Sequence, residues 1–367
     1  MRVLFLADVD AQRSPSARQW FYKMHKLLAE RGFETSLNAF DYSEYDVVII
    51  LWVRPDLIQR ALDHSPKAHI GILNTGYLGF PLKYVRTPEP ASTLASIRQV
   101  VDNVDFFIGT TFMWRDLVLP YQRRVYLVID YDEPEGKPIK QHTGTTDLVI
   151  GYHGNELHYA HNFFPHGANA LKRLACEHNF TLKIITSDAG SQPRIDGVKT
   201  EFVEFDLESF ADEIQTFDIG ICPVFSDMAQ LADPFIYMRN SNRVHTLLFY
   251  GIPSVTSPIP QACHDLVEGE TALFAVSEEG WYDALKRLIS QPALRNHIGR
   301  TGREMVASRF STEQGVKAFV DMLNEEIKMP LVTKKEWKTL PRLEQSHFAS
   351  PIKRLCWQLR SRLLELR

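Results

Sequence analysis

The chain has 367 residues, of which 44% are hydrophobic, and a formal net charge of −4. This length exceeds that of most single domains and suffices for two, each with its own core. No run of roughly 18 apolar residues is present, so the sequence predicts no membrane-spanning helix. The start reads as a first strand rather than a signal peptide, and the four scattered cysteines form no Cys-x-x-Cys pair. These features predict a cytoplasmic, reducing compartment and no zinc site.

The first 130 residues alternate between apolar runs and helical patterns. Five apolar runs predict strands at 2–6, 33–37, 46–52, 70–73 and 104–108. A helix with Trp20 and Met24 on its apolar face follows the first run and ends at Gly32. This alternation predicts a parallel sheet covered by helices on both sides. The first loop lacks Gly-x-Gly-x-x-Gly, so a dinucleotide is not expected in this half.

A second alternation begins after a linker. Residues 130–146 are polar and contain two prolines and two glycines, which indicates a connection between domains. Strands are predicted at 147–152, 181–186, 198–205 and 219–222, with helices at 160–176 and 207–216. Ser311 and Gln314 form a capping box for a late helix. The predicted divisions of the chain are 1–135, 136–310, 311–330 and 331–367.

The segment 218–273 carries the strongest functional signal. A buried strand is followed by a polar loop, a helix that begins at Ser241 and ends at Gly251, and another strand at Ser254. A helix that starts at the carboxyl edge of an open sheet presents unpaired N–H groups and the positive end of its dipole. The pattern therefore predicts an anion site, suited to a diphosphate, at this helix.

This segment contains three short motifs in a fixed order: Ser241-Asn242-Arg243, Gly251-Ile252-Pro253 and residues 269–273. They resemble the donor-binding half of two-domain (GT-B) glycosyltransferases, in particular the large family-4 group. The resemblance implies an α/β fold of two Rossmann-like domains whose parallel sheets face each other across a cleft. It implies acceptor binding in the first domain, donor binding in the second, and a helix within 311–330 that crosses back. It also implies a nucleotide-sugar co-substrate, such as a UDP- or GDP-sugar, with no further cofactor and no metal.

The chain departs from the family at two positions. Family-4 members carry two glutamates, flanking seven residues, that hold the sugar and the ribose, and Met238 and Thr246 stand there in this sequence. Both contacts must therefore be made differently. One alternative is a nucleotide- or glycan-binding protein without turnover. Another is a transferase acting on nucleic acid, which the acidic body of the chain disfavours because such binding needs a basic groove.

Candidate residues follow from the motifs and from positions after predicted strands. Donor contact is predicted for Gly154, Thr186, Ser187, Asp206, Leu207, Ser241, Asn242, Arg243, Thr246, Glu268 and Thr271. Acceptor contact, as against an ordinary βα-loop role, is predicted for Asp8, Ser14, Thr75, Tyr77 and Thr111.

The catalytic candidates are Arg243, His153 and Asp10. Arg243 would stabilise the departing diphosphate, and His153 either faces that diphosphate or is a plain loop residue. Asp10, like Asp8 and Asp227, would serve as general base if the enzyme inverts configuration. If the enzyme retains configuration, the leaving diphosphate itself can take the proton. Four histidines between positions 153 and 166 have no cysteine or carboxylate spacing that supports a metal, so none is predicted.

The tail differs in charge from the rest of the chain. Residues 333–367 contain nine Lys or Arg against three Asp or Glu, and Ile352, Leu355, Leu359 and Leu363 fall on one helical stripe. Such a helix either lies on an anionic membrane, here the inner face, or packs its stripe on the first domain. The predicted acceptor is a glycan or lipid-linked glycan of cell-surface polysaccharide assembly.

Overall fold

The computed structural model describes residues 1–332 apart from 8, 10–13, 15–16, 40, 75–98, 123, 130–137, 145, 157 and 226–233. It contains two six-stranded sheets, and every pairing between neighbouring strands is parallel. The first sheet lies in the first half of the chain (residues 1–127) and the second in the second half (residues 148–310). The predicted α/β class with two parallel sheets is confirmed. The predicted boundary at 135 falls outside the described residues.

The first sheet has the order β2-β1-β3-β4-β5-β6. Its strands are β1 (Arg2–Leu6), β2 (Glu34–Leu37), β3 (Val47–Leu51), β4 (His69–Asn74), β5 (Phe106–Gly109) and β6 (Val125–Leu127). The helices are α1 (Lys23–Glu30), which follows a π-helical turn at Arg18–Tyr22, α2 (Pro55–His64) and α3 (Phe112–Val118). Strands β3, β4 and β5 are buried along their whole length. Helices cover both faces of a parallel sheet, so side chains on both faces of these strands must be apolar. This explains why the strands read as continuous apolar runs.

The second sheet has the order β12-β11-β10-β7-β8-β9. Its strands are β7 (Leu148–His153), β8 (Phe180–Thr186), β9 (Thr200–Glu204), β10 (Ile219–Cys222), β11 (Ser254–Thr256) and β12 (Leu273–Phe274). The helices are α4 (Phe164–Ala175), α5 (Phe210–Gln215), α6 (Pro234–Tyr237), α7 (Asn242–Phe249), α8 (Pro260–Asp265), α9 (Glu278–Ser290) and α10 (Pro292–Arg309). Strand order reverses between β7 and β10, because the chain runs outward from β7 to β9 and then returns to the other side of β7.

The last helix within the described ranges, α11 (Thr312–Glu326), packs against the first half of the chain. The ring of Phe319 stacks on that of Phe5, with centroids 6.2 Å apart, and Lys23 donates to the hydroxyl of Thr312 at 3.0 Å. Ser311 caps this helix through its side chain, as the capping box predicts. In the described ranges no helix has both the length and the apolar character needed to traverse a bilayer.

The end of α11 is fixed by a buried carboxylate. Glu326 is fully buried and accepts hydrogen bonds from Arg124 Nε at 3.1 Å and from the Tyr126 hydroxyl at 3.0 Å. His69 Nδ1 lies 3.0 Å from its other oxygen. Just beyond, the N–H of Val332 donates to the carboxylate of Asp105, next to the amino end of β5, at 2.7 Å. A buried carboxylate needs such partners, so this cluster fixes where the helix ends.

Candidate functional site

The site lies at the point where strand order reverses in the second sheet. In open α/β sheets the crevice outside the carboxyl ends of the strands at such a point is where ligands bind. Tyr152 and His153 end β7, and Gly154 follows them. Pro223 follows β10, the neighbour of β7. The described residues of these two strand ends therefore form the floor of a candidate binding crevice.

Arg243, in the first turn of α7, is held against this floor. Its Nη2 donates to the carbonyl oxygen of Pro223 at 2.9 Å, and its Nη1 lies 3.4 Å from the Tyr152 hydroxyl. A guanidinium has five N–H donors, and these two contacts occupy only two of them. The cation is thus fixed at the strand ends with hydrogen-bonding capacity remaining for a ligand.

Gly154 makes this position of Arg243 possible. Its φ is +135°, a conformation that residues with a side chain rarely adopt, and a Cβ added there would stand 2.9 Å from Arg243 Cδ. Glycine therefore satisfies both the backbone conformation and the close approach. The Gly154 N–H donates to the carbonyl of Ile185 on β8 at 3.1 Å, which joins the turn to the next strand.

His153 supports the backbone of the same helix. Its side chain is buried, and its Nε2 lies 3.2 Å from the carbonyl oxygen of Arg243. Burial, with a smaller contribution from the Arg243 charge, lowers the pKa of His153 to about 4. The imidazole is therefore neutral near pH 7, and its Nε2–H donates to the carbonyl. We infer the tautomer from this contact, which leaves Nδ1 as an acceptor.

The opening of α7 has one of its first N–H groups occupied, because the Arg243 N–H donates to Asn242 Oδ1 at 2.9 Å, but it has no cap from the N-cap residue. Ser241 occupies the N-cap position without making a side-chain cap, and its hydroxyl is buried and has no hydrogen-bond partner within the described part of the chain. Thr186, at the end of β8, has a second buried hydroxyl with no partner among the described residues. Buried hydroxyls are normally hydrogen-bonded, so two such groups at one sheet edge favour a polar ligand there.

The first half of the chain contacts this opening. The Asn242 side-chain amide points to Gln19 Oε1 at 3.4 Å, and the guanidinium of Arg18 lies 5.8 Å from the ring centroid of Phe205, after β9. Ser241 is only 4% exposed, whereas Asn242 and Arg243 are partly exposed. The start of α7 thus lies at the junction of the two halves, neither sealed in a core nor turned away from that junction.

Solved structures share this architecture. Sucrose-phosphate synthase from Thermosynechococcus elongatus aligns with a TM-score of 0.64 and 12% identity, over 88% of this chain and 98% of its own. A glycosyltransferase from Rickettsia africae aligns with a TM-score of 0.63 and 10% identity, over 90% and 99%. HepE of Anabaena, solved in complex with UDP-glucose, aligns with a TM-score of 0.59 and 11% identity, over 89% and 100%.

This chain has the GT-B fold. The likeness, at 10–12% identity, establishes the fold and nothing finer. No family model and no curated protein sequence matches the chain.

The polar side chains that follow β8 and β9 form hydrogen bonds with residues close to them. The Asp206 carboxylate accepts from the N–H groups of Ser209 at 2.9 Å and Glu208 at 3.1 Å, bonds that lower the pKa of this carboxyl, with the Ser209 N–H contributing most. The Ser187 hydroxyl donates to Glu156 at 3.2 Å, and Leu207 is 55% exposed. These residues border the carboxyl edge, where their contact with a donor stays a prediction.

Thr246 and Met238, which stand where family-4 members carry glutamates, make contacts that a glutamate carboxylate would not make. The Thr246 hydroxyl donates to the carbonyl of Asn242 at 2.9 Å inside α7, so its proton is already used. Met238 is buried in an apolar cluster whose other buried members, such as Trp114 and Val118, all belong to the first half. The Met238 position therefore joins the two halves instead of lining the crevice with a carboxylate.

Glu268 and Thr271 are not brought to the crevice. They precede β12, which runs parallel to β11, so they lie toward the amino end of the sheet. The Thr271 hydroxyl accepts from the N–H of Val267 at 2.9 Å, and Glu268 accepts from the N–H of Phe274 at 2.7 Å. Both side chains close their own turn. The prediction that they contact the donor misjudged which end of the strand they occupy.

Of the predicted acceptor residues, only Ser14 and Thr111 lie within the described part of the chain. Ser14 accepts from the N–H of Ala17 at 3.3 Å, at the start of the first helical segment. Thr111 is 1% exposed, accepts from the N–H of Trp114 at 3.1 Å, and contacts the carbonyl of Met238 at 3.5 Å. It is therefore enclosed between the halves, which corrects its assignment to an open acceptor site. The remaining acidic and acceptor candidates lie outside the described residues: Asp8, Asp10, Thr75, Tyr77 and Asp227.

Several residues of the site were missed from the sequence. Tyr152 and the Pro223 carbonyl hold Arg243, and Gln19 faces Asn242. Tyr152 directly precedes a strand end and could have been suspected on that ground. Across the ranges that the structure describes, His, Cys, Asp and Glu side chains form no group of three or more that could hold a metal ion.

Proposed function

We propose that this protein is a glycosyltransferase that moves a sugar from a nucleotide-diphosphate sugar to an acceptor hydroxyl. The observation that carries the proposal is the start of α7, where the N-cap residue Ser241 makes no side-chain cap and Arg243 is fixed against Pro223, at the strand-order reversal of a GT-B fold. The Anabaena relative with this fold was solved in complex with UDP-glucose, which supports a nucleotide sugar as the donor class.

The diphosphate would bind at the opening of α7. A helix start offers N–H donors and a positive dipole end, and the unsatisfied Ser241 hydroxyl adds one further donor. Arg243 supplies a full positive charge from a fixed position against Pro223. Together these groups favour two adjacent phosphates without requiring a metal ion to neutralise them.

Catalysis would rest on the same groups. As the bond between the sugar and the diphosphate breaks, negative charge grows on the departing phosphate oxygen, and pre-oriented donors stabilise that charge. Arg243 and the α7 N–H groups perform this role. His153, neutral near pH 7, holds the carbonyl of Arg243 and so keeps the first turn of α7 in place.

The acceptor in this proposal is a glycan or lipid-linked glycan of cell-surface polysaccharide assembly. Support comes from the basic tail, residues 333–367, which suits contact with an anionic membrane. Deleting this tail should abolish binding to vesicles that contain phosphatidylglycerol while leaving the body folded. Unchanged vesicle binding by the truncated chain would remove the membrane part of the proposal.

A donor panel tests the central claim. UDP, GDP, ADP and their common sugar conjugates are added to the purified protein, and the melting temperature and the release of free nucleotide are measured. We expect one base to raise the melting temperature and one of its sugar conjugates to be turned over. A panel in which no nucleotide shifts the melting temperature contradicts the proposal.

The second candidate is a nucleotide-binding protein without turnover. The packing of Met238 into the first half favours it, because that position supplies no carboxylate to a sugar. Nucleotide-dependent stabilisation, with no turnover of any sugar conjugate in the presence of acceptor glycans, would identify this candidate in the same panel.

A further inference from the structure

A buried glutamine joins the two halves of the chain. Gln261, on α8, is fully buried, and its Oε1 accepts from the backbone N–H of Phe112, the first residue of α3, at 3.0 Å. The ring of Phe112 also lies on that of His264, with centroids 4.1 Å apart. An N–H at a helix start lacks an intrahelical partner, so this bond between the halves satisfies a donor that needs one.

The other end of the same amide faces a carboxylate. Gln261 Nε2 donates to both oxygens of Asp265, at 2.9 Å each, and the Asp265 side chain is fully buried. The amide cannot be reversed, because reversal would oppose two donors at Phe112 and two acceptors at Asp265. Its orientation is therefore fixed by groups from both halves at once.

Asp265 in turn contacts α7. Its Oδ2 lies 3.6 Å from Nε2 of His245, which is fully buried in the middle of α7. On its other side the His245 ring stacks on Phe310, with centroids 4.6 Å apart and an interplanar angle of 17°. His245 thus packs between Asp265 and Phe310, one turn beyond the opening at Ser241.

We infer that Gln261 is a positioning residue: through Asp265 and His245 it sets the place of the α7 opening relative to the first half of the chain. The inference rests on the proposed function, because the α7 opening is the proposed phosphate site. Separating the halves would exchange the hydrogen bond between the Phe112 N–H and the Gln261 carbonyl for bonds to water and would remove the link from the first half to Asp265, so this bond favours the joined arrangement.

The test is a charge swap at this bridge. Gln261→Glu places a second carboxylate against Asp265 and removes the donor, whereas the double variant Gln261→Glu/Asp265→Asn restores one donor–acceptor pair and keeps an acceptor for Phe112. Gln122→Glu is the matched control, because Gln122 accepts from Arg124 at 3.2 Å and donates to Val104 at 3.3 Å within the first half alone.

The dissociation constant for UDP, or for the nucleotide that binds best in the donor panel, is measured where circular dichroism shows every variant folded. We expect Gln261→Glu to weaken binding about tenfold, the double variant to recover most of it, and Gln122→Glu to bind as wild type does. A role confined to fold stability would lower the melting temperature and leave this constant unchanged. Equal binding by Gln261→Glu and wild type overturns the inference.

A second measurement separates this inference from the proposed function. The radius of gyration of the ligand-free protein is measured by small-angle X-ray scattering for wild type, Gln261→Glu and Gln122→Glu. An increase confined to Gln261→Glu supports the bridge even if no nucleotide binds to wild type, which would contradict the proposed function alone. If no nucleotide binds and all three proteins scatter alike, the positioning role is also overturned.

Discussion

Gly154 and Arg243 are mutually dependent, because a Cβ at Gly154 would stand 2.9 Å from Arg243 Cδ. The glycine directly follows β7, and the arginine lies in the first turn of α7, so two distant segments meet with no room for a side chain between them.

Gly154→Ala should lower both stability and nucleotide binding. The φ of +135° and the close contact together cost about 2 kcal/mol or more of unfolding free energy, and relief of the contact displaces Arg243. Urea unfolding and UDP titration measure the two effects. Gly197→Ala is the control, because its φ is +78° with nothing within 4 Å of the added Cβ, so it should cost about 1 kcal/mol and leave UDP binding intact. Wild-type nucleotide binding in Gly154→Ala would contradict the proposed place of Arg243.

Arg243→Ala should weaken UDP binding by about 10- to 100-fold, the value expected for losing one or two hydrogen bonds to a charged group. Arg243→Lys should recover only part of this loss, because an ammonium cannot reproduce the planar contacts with Pro223 and Tyr152. Isothermal titration calorimetry measures both. Arg300→Ala, at an exposed surface pair with Glu304, should bind UDP as wild type does. If all three variants match wild type, Arg243 is not a phosphate ligand.

His153 should make stability fall with acid. Its folded pKa of about 4 lies below the ordinary 6.5, so protonation favours the unfolded chain. The stability that neutral His153 contributes is present above about pH 6.5 and is lost progressively toward pH 4, by about 3 kcal/mol. His153→Gln retains a donor for the Arg243 carbonyl but does not titrate. The difference in unfolding free energy between this variant and wild type, measured by urea denaturation, should change across that pH range. A difference that stays constant with pH would be evidence against the buried, neutral state of His153.

Glu326→Ala should destabilise the protein by about 3–5 kcal/mol, because it leaves Arg124 partly buried without its carboxylate. Chemical denaturation measures the loss. Glu325→Ala, at the exposed neighbouring position, should stay within about 0.5 kcal/mol of wild type. Comparable effects of the two substitutions would show that the buried cluster does not anchor α11.

Much of the fold was predictable because several of its central strands are continuous runs of apolar residues. The sequence located β1, β3, β4 and β10 from such runs, and the parallel sheets followed from their alternation with helices. Strands β6 and β12 were not predicted, because they have only three and two residues and depend on their neighbours for their pairing. The pattern from 160 predicted one helix, whereas a π-helical turn at His158–Phe163 precedes α4.

The candidate site was predictable only where residues that are close in the sequence are also close in the structure. The start of α7 could be placed at the carboxyl edge because the next strand before it in the chain is β10 and the next strand after it is β11. The contact of Arg243 with Tyr152 and the bridge through Gln261 depend on which strands and halves become neighbours, and no local pattern encodes that. The error at Glu268 and Thr271 has the same origin, since a sequence motif does not reveal at which end of a strand it will lie.

The hydrogen bond between Val332 and Asp105 has a topographic consequence. Asp105 precedes β5, at the amino edge of the first sheet, whereas the candidate crevice lies at the carboxyl ends of β7 and β10 in the second sheet. The described part of the chain thus leaves the protein body at the amino edge of the first sheet.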